Sequence, residues 1–185
     1  MTTTTTNNWN LDTVHSGINF SVRHMVVSKV RGRFAKFSGQ VALDESDLTR
    51  STVEATIDAS SIDTGTAQRD EHLKSADFFD VEHFPQIRFR GTGIEKVGTE
   101  RYRLTGQLTI RDVSREIALD VEYGGRGKDP WGNERIGFTA RGALDRKDFG
   151  LKWNQALETG GVLVSDRVEL ELELQAVKAA AAQAA

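Results

Sequence analysis

The chain has no cysteine and only two prolines, Pro85 and Pro130, among its 185 residues. Without thiols, a disulfide framework, a cysteine nucleophile and any Cys-ligated zinc or iron–sulfur centre are excluded. No apolar run approaches the roughly 18 residues that cross a bilayer as a helix. The opening, Met1 through Asn8, has neither the basic patch nor the apolar core of a secretory signal. The expectation is a soluble, cytoplasmic chain with no membrane span. Neither sign of charge dominates, since 24 Lys and Arg against 27 Asp and Glu leave −3. That balance provides no general attraction to nucleic acid or to acidic lipid. A Gly-rich phosphate loop, a dinucleotide fingerprint and a Gly-x-Ser-x-Gly elbow are all missing. The four histidines, His15, His24, His72 and His83, fall in no close metal-ligand spacing.

The hydrophobic fraction is 38%, and 17 glycines bring the chain to ordinary globular composition. This length fits one domain. Within it, alternation is the dominant pattern. Val168, Leu170, Leu172 and Leu174 alternate with Glu169, Glu171, Glu173 and Gln175, which describes a strand with one wet and one buried face. The same period runs through Ile18–Val22, Val53–Ala59, Leu104–Ile110, Ile117–Tyr123 and Ile136–Ala140. With segments near 30–43 and 87–97, about eight or nine antiparallel strands are expected, hence a sandwich or a barrel. Turn chemistry at Gly98-Thr99-Glu100, Arg111-Asp112 and Asp129-Pro130-Trp131-Gly132-Asn133 separates neighbouring runs. Gly32, Gly39, Gly106 and Gly142 sit inside strands, where they permit the bends of a coiled sheet. One short helix is expected over 66–75, capped by Thr64 or Thr66. The Thr/Asn run over 1–8 and the Ala-rich tail over 178–185 read as peripheral.

Two stretches stand out. In Ser21-Val22-Arg23-His24-Met25, His24 continues the buried parity of Phe20 and Val22. It is either a core-edge histidine bonded to a backbone carbonyl or a polar group at the mouth of an apolar cavity. In Arg69 through Asp80, helical spacing places Arg69, His72 and Leu73 on one face and pairs Asp70 with Lys74. That segment is either a solvated helix with Phe78 and Phe79 plugging a barrel end, or a basic gate suited to an anionic head group.

Taken in order, Asp12-Thr13-Val14-His15-Ser16, Phe20-Ser21-Val22-Arg23-His24-Met25, Val30-Arg31-Gly32-Arg33-Phe34 and Ser60-Ser61-Ile62-Asp63-Thr64 resemble the YceI-like family. The resemblance continues through Arg69-Asp70-Glu71-His72-Leu73, Asp77-Phe78-Phe79-Asp80, Phe84-Pro85-Gln86-Ile87-Arg88-Phe89 and Gly106-Gln107-Leu108-Thr109-Ile110-Arg111. It covers a single domain over 9–177. What it implies is an all-β, extended antiparallel eight-stranded lipocalin-like barrel, with one short helix and a polyisoprenoid lipid inside. The implied ligand is an isoprenoid quinone or a prenyl pyrophosphate. No cofactor is implied, no catalysis is established in the family, and members are often homodimers.

On this reading Phe20, Val22, Phe34, Ile57, Phe78, Phe79, Phe89, Leu108, Phe138, Phe149 and Trp153 are the expected apolar lining. Arg23, His24, Arg69 and His72 are the expected polar end, with Asp70 orienting His72 or Arg69. An enzyme reading stands beside it: a lipid hydrolase or isomerase with His24 or His72 as general base.

Overall fold

The computed structural model describes residues 6–180. The strand segments are β1 (Thr6–Leu11), β2 (Gly17–His24), β3 (Ser28–Phe34), β4 (Phe37–Asp44), β5 (Thr52–Asp58) and β6 (Ile62–Asp63). They continue with β7 (Gln86–Gly98), β8 (Arg101–Ile110), β9 (Val113–Lys128), β10 (Glu134–Asp145) and β11 (Val164–Lys178). The α-helix α1 spans Ala67–Lys74, between β6 and β7.

Pairing runs β4-β5-β7-β8-β9-β10-β11, all antiparallel, and β1 joins β4 to β11. Along β11, Ala176 pairs with Leu11 of β1, while Val168 pairs with Val22 of β2. β1 and β2 are therefore two halves of one stave, interrupted over 12–16. In the same way β3 and β4 form the next stave, and β5 and β6 the third. The result is a closed antiparallel barrel of eight staves, connected in chain order. Closure leaves no long edge exposed, and it sends every second side chain inward.

Pairing of β1 begins at Thr6 opposite Asp44, so the sheet includes Thr6–Asn8 ahead of Trp9. Lys178 ends β11, and Ala181–Ala185 of the Ala-rich tail lie outside the described residues, as does 1–5.

The two-residue hairpin at Arg111-Asp112 puts Arg111 at φ 56°, and Glu100 closes the β7–β8 turn at φ 58°. Gly106 is sterically required. A Cβ on Gly106 would meet the Phe89 ring at 2.3 Å and the carbonyl oxygen of Arg90 at 2.7 Å.

The interruption at 12–16 is held by charge. Arg135 binds the Asp12 carboxylate, the Gln175 side chain at 3.2 Å and Asp129 at 2.9 Å. One guanidinium thus ties the first stave, the β9–β10 turn and β11 together. Arg135 holds the Asp12 carboxyl well below the usual carboxylate range. The Asn133 amide, helped by backbone N–H groups and Arg135, lowers Asp129 to about 2.

Two predictions follow from this geometry. Gly106→Ala should lower unfolding free energy by about 1–3 kcal/mol, whereas Gly93→Ala, with nothing within 4 Å of the new methyl, should be near neutral. Chemical denaturation checks both, and equal effects would show that Gly106 is not sterically constrained. The depressed aspartates stabilise the fold fully above about pH 4, where unfolded aspartate titrates. That contribution fades as pH falls towards 2. The melting-temperature gap between wild type and Arg135→Gln should therefore narrow on acidification; a gap independent of pH would rule out this network as its source.

Candidate functional site: an apolar lumen

The inward faces do not fill the barrel. They enclose a cavity of about 290 Å³ that runs from Leu11, Leu43 and Ala176 at one end to Leu73, Phe78 and Phe79 at the other. Small inward residues keep it open, notably Ala55 and Ala140. Phe20, Val22, Phe34, Ile57, Phe78, Phe79, Phe89, Leu108 and Phe138 all line it. Phe20 and Phe34 pack at 5.7 Å, and Phe79 meets Phe34 edge-on at 5.8 Å.

Phe149 and Trp153 do not line the cavity. Phe149 is fully buried in the core around Phe34 and Ile57, behind the lining. Trp153 comes from the long β10–β11 connection and packs outside, against His72 at 4.6 Å and Phe78 at 5.5 Å. Several lining residues were not expected. Ile94 sits beyond a register shift between Gly91 and Gly93 that reverses the parity of β7. Leu73 comes from α1 and Leu151 from the β10–β11 connection, outside the strands whose alternation identifies the inward face.

Arg146 is the one charged side chain buried at this lining, only 4% exposed. Its N–H groups donate to the carbonyls of Leu151 (2.6 Å), Trp153 (2.8 Å), Ser165 (2.9 Å) and Val164 (3.4 Å). Burial pushes its pKa down, with Asp166 acting against that. Arg146 staples the 146–163 connection to β11. Its donors are engaged by carbonyls, not turned to the lumen.

The two ends differ in kind. At the first, Trp9 is fully buried with Leu43, Ile136 and Ala176. Arg126 and Lys178 lie over its ring at 5.6 and 5.8 Å, and Glu45 and Glu134 bridge the two cations. Hydrogen bonds from Arg126 and Lys178 hold Glu45 and Glu134 below their ordinary pKa.

The second end is closed by α1 and the turn after it. No residue of α1 is fully buried, and Thr66 makes no side-chain cap. Asp70 instead accepts from the Thr64 N–H at 2.9 Å and from its hydroxyl. Arg69 donates to the Thr64 hydroxyl and carbonyl, both at 2.7 Å. Lys74 pairs with Glu71 at 2.9 Å rather than with Asp70. His72 bonds Asp77 at 2.8 Å and presses edge-on against Phe78 at 5.3 Å. Of the expected polar end, then, Arg69, Asp70 and His72 gather around α1, outside the cavity's lining. Arg23 and His24 stand apart from them at the end of β2, opposite Val164 and Ser28. No cluster of three His, Asp or Glu able to hold a metal occurs among the described residues. No helix among them is long and apolar enough to cross a membrane.

The YceI-like domain model matches residues 9–176. Among curated proteins, the UPF0312 protein SERP2314 of Staphylococcus epidermidis is 40% identical over 164 residues, covering 88% of this chain and 93% of the relative. The UPF0312 protein VPA0850 of Vibrio parahaemolyticus is 35% identical, covering 89% and 82%. Among solved structures, the Campylobacter jejuni YCEI protein superposes with a TM-score of 0.74 at 32% identity, over 85% of this chain and 90% of that one. Burkholderia cenocepacia BcnA gives 0.78 at 25% identity, over 89% and 98%. A polyisoprenoid binding domain from Saccharophagus degradans gives 0.66 at 15% identity, over 92% and 98%, and shares the fold. With one family model spanning the barrel from Trp9 to Ala176, the chain belongs to the YceI-like family.

Proposed function

We propose that this protein is a non-catalytic carrier that holds a polyisoprenoid lipid in the barrel lumen, with an uncharged isoprenoid quinone as the favoured ligand. The observation that carries the proposal is the lumen itself, apolar along the barrel, with its buried cation already spent on backbone carbonyls. An apolar chain gains about 0.8 kcal/mol per buried CH₂. A few isoprene units would therefore exceed the roughly 8 kcal/mol of micromolar binding, less the cost of ordering. A pyrophosphate inside would be an unpaired buried charge, which is strongly unfavourable. Its head would have to remain beyond the Phe78–Phe79 stopper, near Arg69 and His72.

The cavity of about 290 Å³ lies at the lower bound of small-molecule sites. A long chain then requires Phe78 and Phe79 to swing aside with α1. That end is the one proposed to open, because α1 itself contributes no fully buried side chain, whereas the opposite end is anchored on Trp9. The fold's use in the Saccharophagus degradans polyisoprenoid binding domain is in keeping with the same ligand class.

Filling the lumen separates binding from folding. Ala55→Leu should weaken binding of a long-chain prenylquinone by about tenfold or more, with no loss of thermal stability. Undiminished titration by this variant would overturn the lumen as the site. For the head group, the double replacement of Arg69 and His72 by Ala should weaken a prenyl pyrophosphate more than a prenylquinone. Equal losses would remove those two residues from head-group recognition.

A further inference from the structure

The β2–β3 hairpin stands at the same end of the barrel as α1 and has an unusual tip. Its turn residues, Met25 and Val26, both take positive φ, 53° and 63°, and Val27 N–H closes the turn on the His24 carbonyl at 3.2 Å. Turns of this kind favour Asn-Gly or Gly-Gly, and a β-branched residue at positive φ is a genuine outlier. Val26 is nevertheless there, 76% exposed, followed by Val27 at 86% and preceded by Met25 at 47%. Val162 of the neighbouring connection is also exposed, and Met25 N–H donates to the adjacent Leu163 carbonyl at 2.9 Å. The two loops therefore present one contiguous apolar tip. A turn sequence chosen for hairpin stability alone has no use for these side chains.

Charge along the hairpin is equally one-sided. Between Asp12 and Asp44 the chain has no acidic residue, yet it carries Arg23, Lys29, Arg31, Arg33 and Lys36. Lys29 pairs with Glu169 across the sheet at 2.8 Å, and Arg33 with Asp63 at 3.1 Å. Arg23 and Arg31 have no carboxylate within 4 Å among the described residues. The adjoining connection is mixed in sign, with Lys147 and Lys152 against Asp148 and Glu158, and Asp166 at the start of β11 pairs with Lys147 at 3.0 Å. The basic excess therefore belongs to the hairpin itself, in a protein whose net charge is −3.

We propose that this hairpin is the surface through which the barrel docks on an anionic lipid bilayer. Met25, Val26 and Val27 enter the interfacial layer while Arg23, Lys29 and Arg31 meet lipid phosphates, the combination that holds proteins at membrane surfaces. Docking there turns the α1 stopper towards the bilayer. The inference draws its purpose from the carrier reading, but its test uses vesicles without prenyl lipid, so the two stand or fall separately.

The experiment is co-sedimentation of the full chain with phosphatidylcholine vesicles, with and without phosphatidylglycerol. Wild type should bind the anionic vesicles and release as salt rises. The double variant Met25→Asn/Val26→Gly installs a favoured turn, so it should melt at a higher temperature while binding these vesicles about tenfold or more less tightly. Val27→Ser, outside the strained turn, should weaken binding in the same direction. Absence of wild-type binding, or binding unchanged in both variants, would overturn the proposal. So would selective loss in Trp131→Ala, because Trp131 is the exposed aromatic of the opposite end. Uptake of a prenylquinone from detergent, unaffected by the double variant, reports separately on the lumen.

Discussion

Closure of the sheet on β11 is the constraint from which the rest of the molecule follows. β11 offers one edge to two partners, its C-terminal part to β1 and its N-terminal part to β2. Once that seam is made, strand number sets the diameter, and eight staves enclose a space that side chains are able to fill. Whether they fill it is then a matter of residue size. Large aromatics at Phe20 and Phe89 fold over Gly32 and Gly106, while Ala55 and Ala140 stop short of the axis. The lumen is the volume those small residues leave.

The seam also explains why charge appears where it does. Interrupting the first stave over 12–16 leaves backbone groups without strand partners, and Asp12 takes the Val14 N–H while Ser16 bonds Gln175. Arg135 then neutralises Asp12 and fixes the β9–β10 turn through Asp129. At the Trp9 end, two cations and two carboxylates cover the indole. At the α1 end, closure depends on the packing of Leu73, Phe78, Phe79 and Trp153 and on short local hydrogen bonds.

Much of this was legible in the sequence because a period of two survives closure unchanged. The strands read from Ile18, Val53, Leu104, Ile117, Ile136 and Val168 are all present, and their inward residues are the ones predicted. The readings failed where the period breaks. The bulge in β7 moves Ile94 inward against its parity, Leu73 reaches the lining from α1, and Leu151 and Arg146 reach it from the β10–β11 connection. The helix was placed correctly, but its side-chain bonds were not. Thr64, six residues ahead of Asp70, is the partner of both Asp70 and Arg69, a contact made by the turn into α1 rather than by helical spacing. Aromatic character alone could not distinguish Phe149, buried behind the lining, from Phe79, which faces the lumen.

Whether the lumen holds a prenyl chain is decided by mass spectrometry. The purified protein would be examined intact under native conditions, beside an organic extract of the same material and again after incubation with a long-chain prenylquinone. The account predicts a mass increment of one prenyl lipid per chain, carried from the cell or acquired on incubation, with the same lipid in the extract. Protein that emerges lipid-free and takes up no added prenylquinone would contradict it.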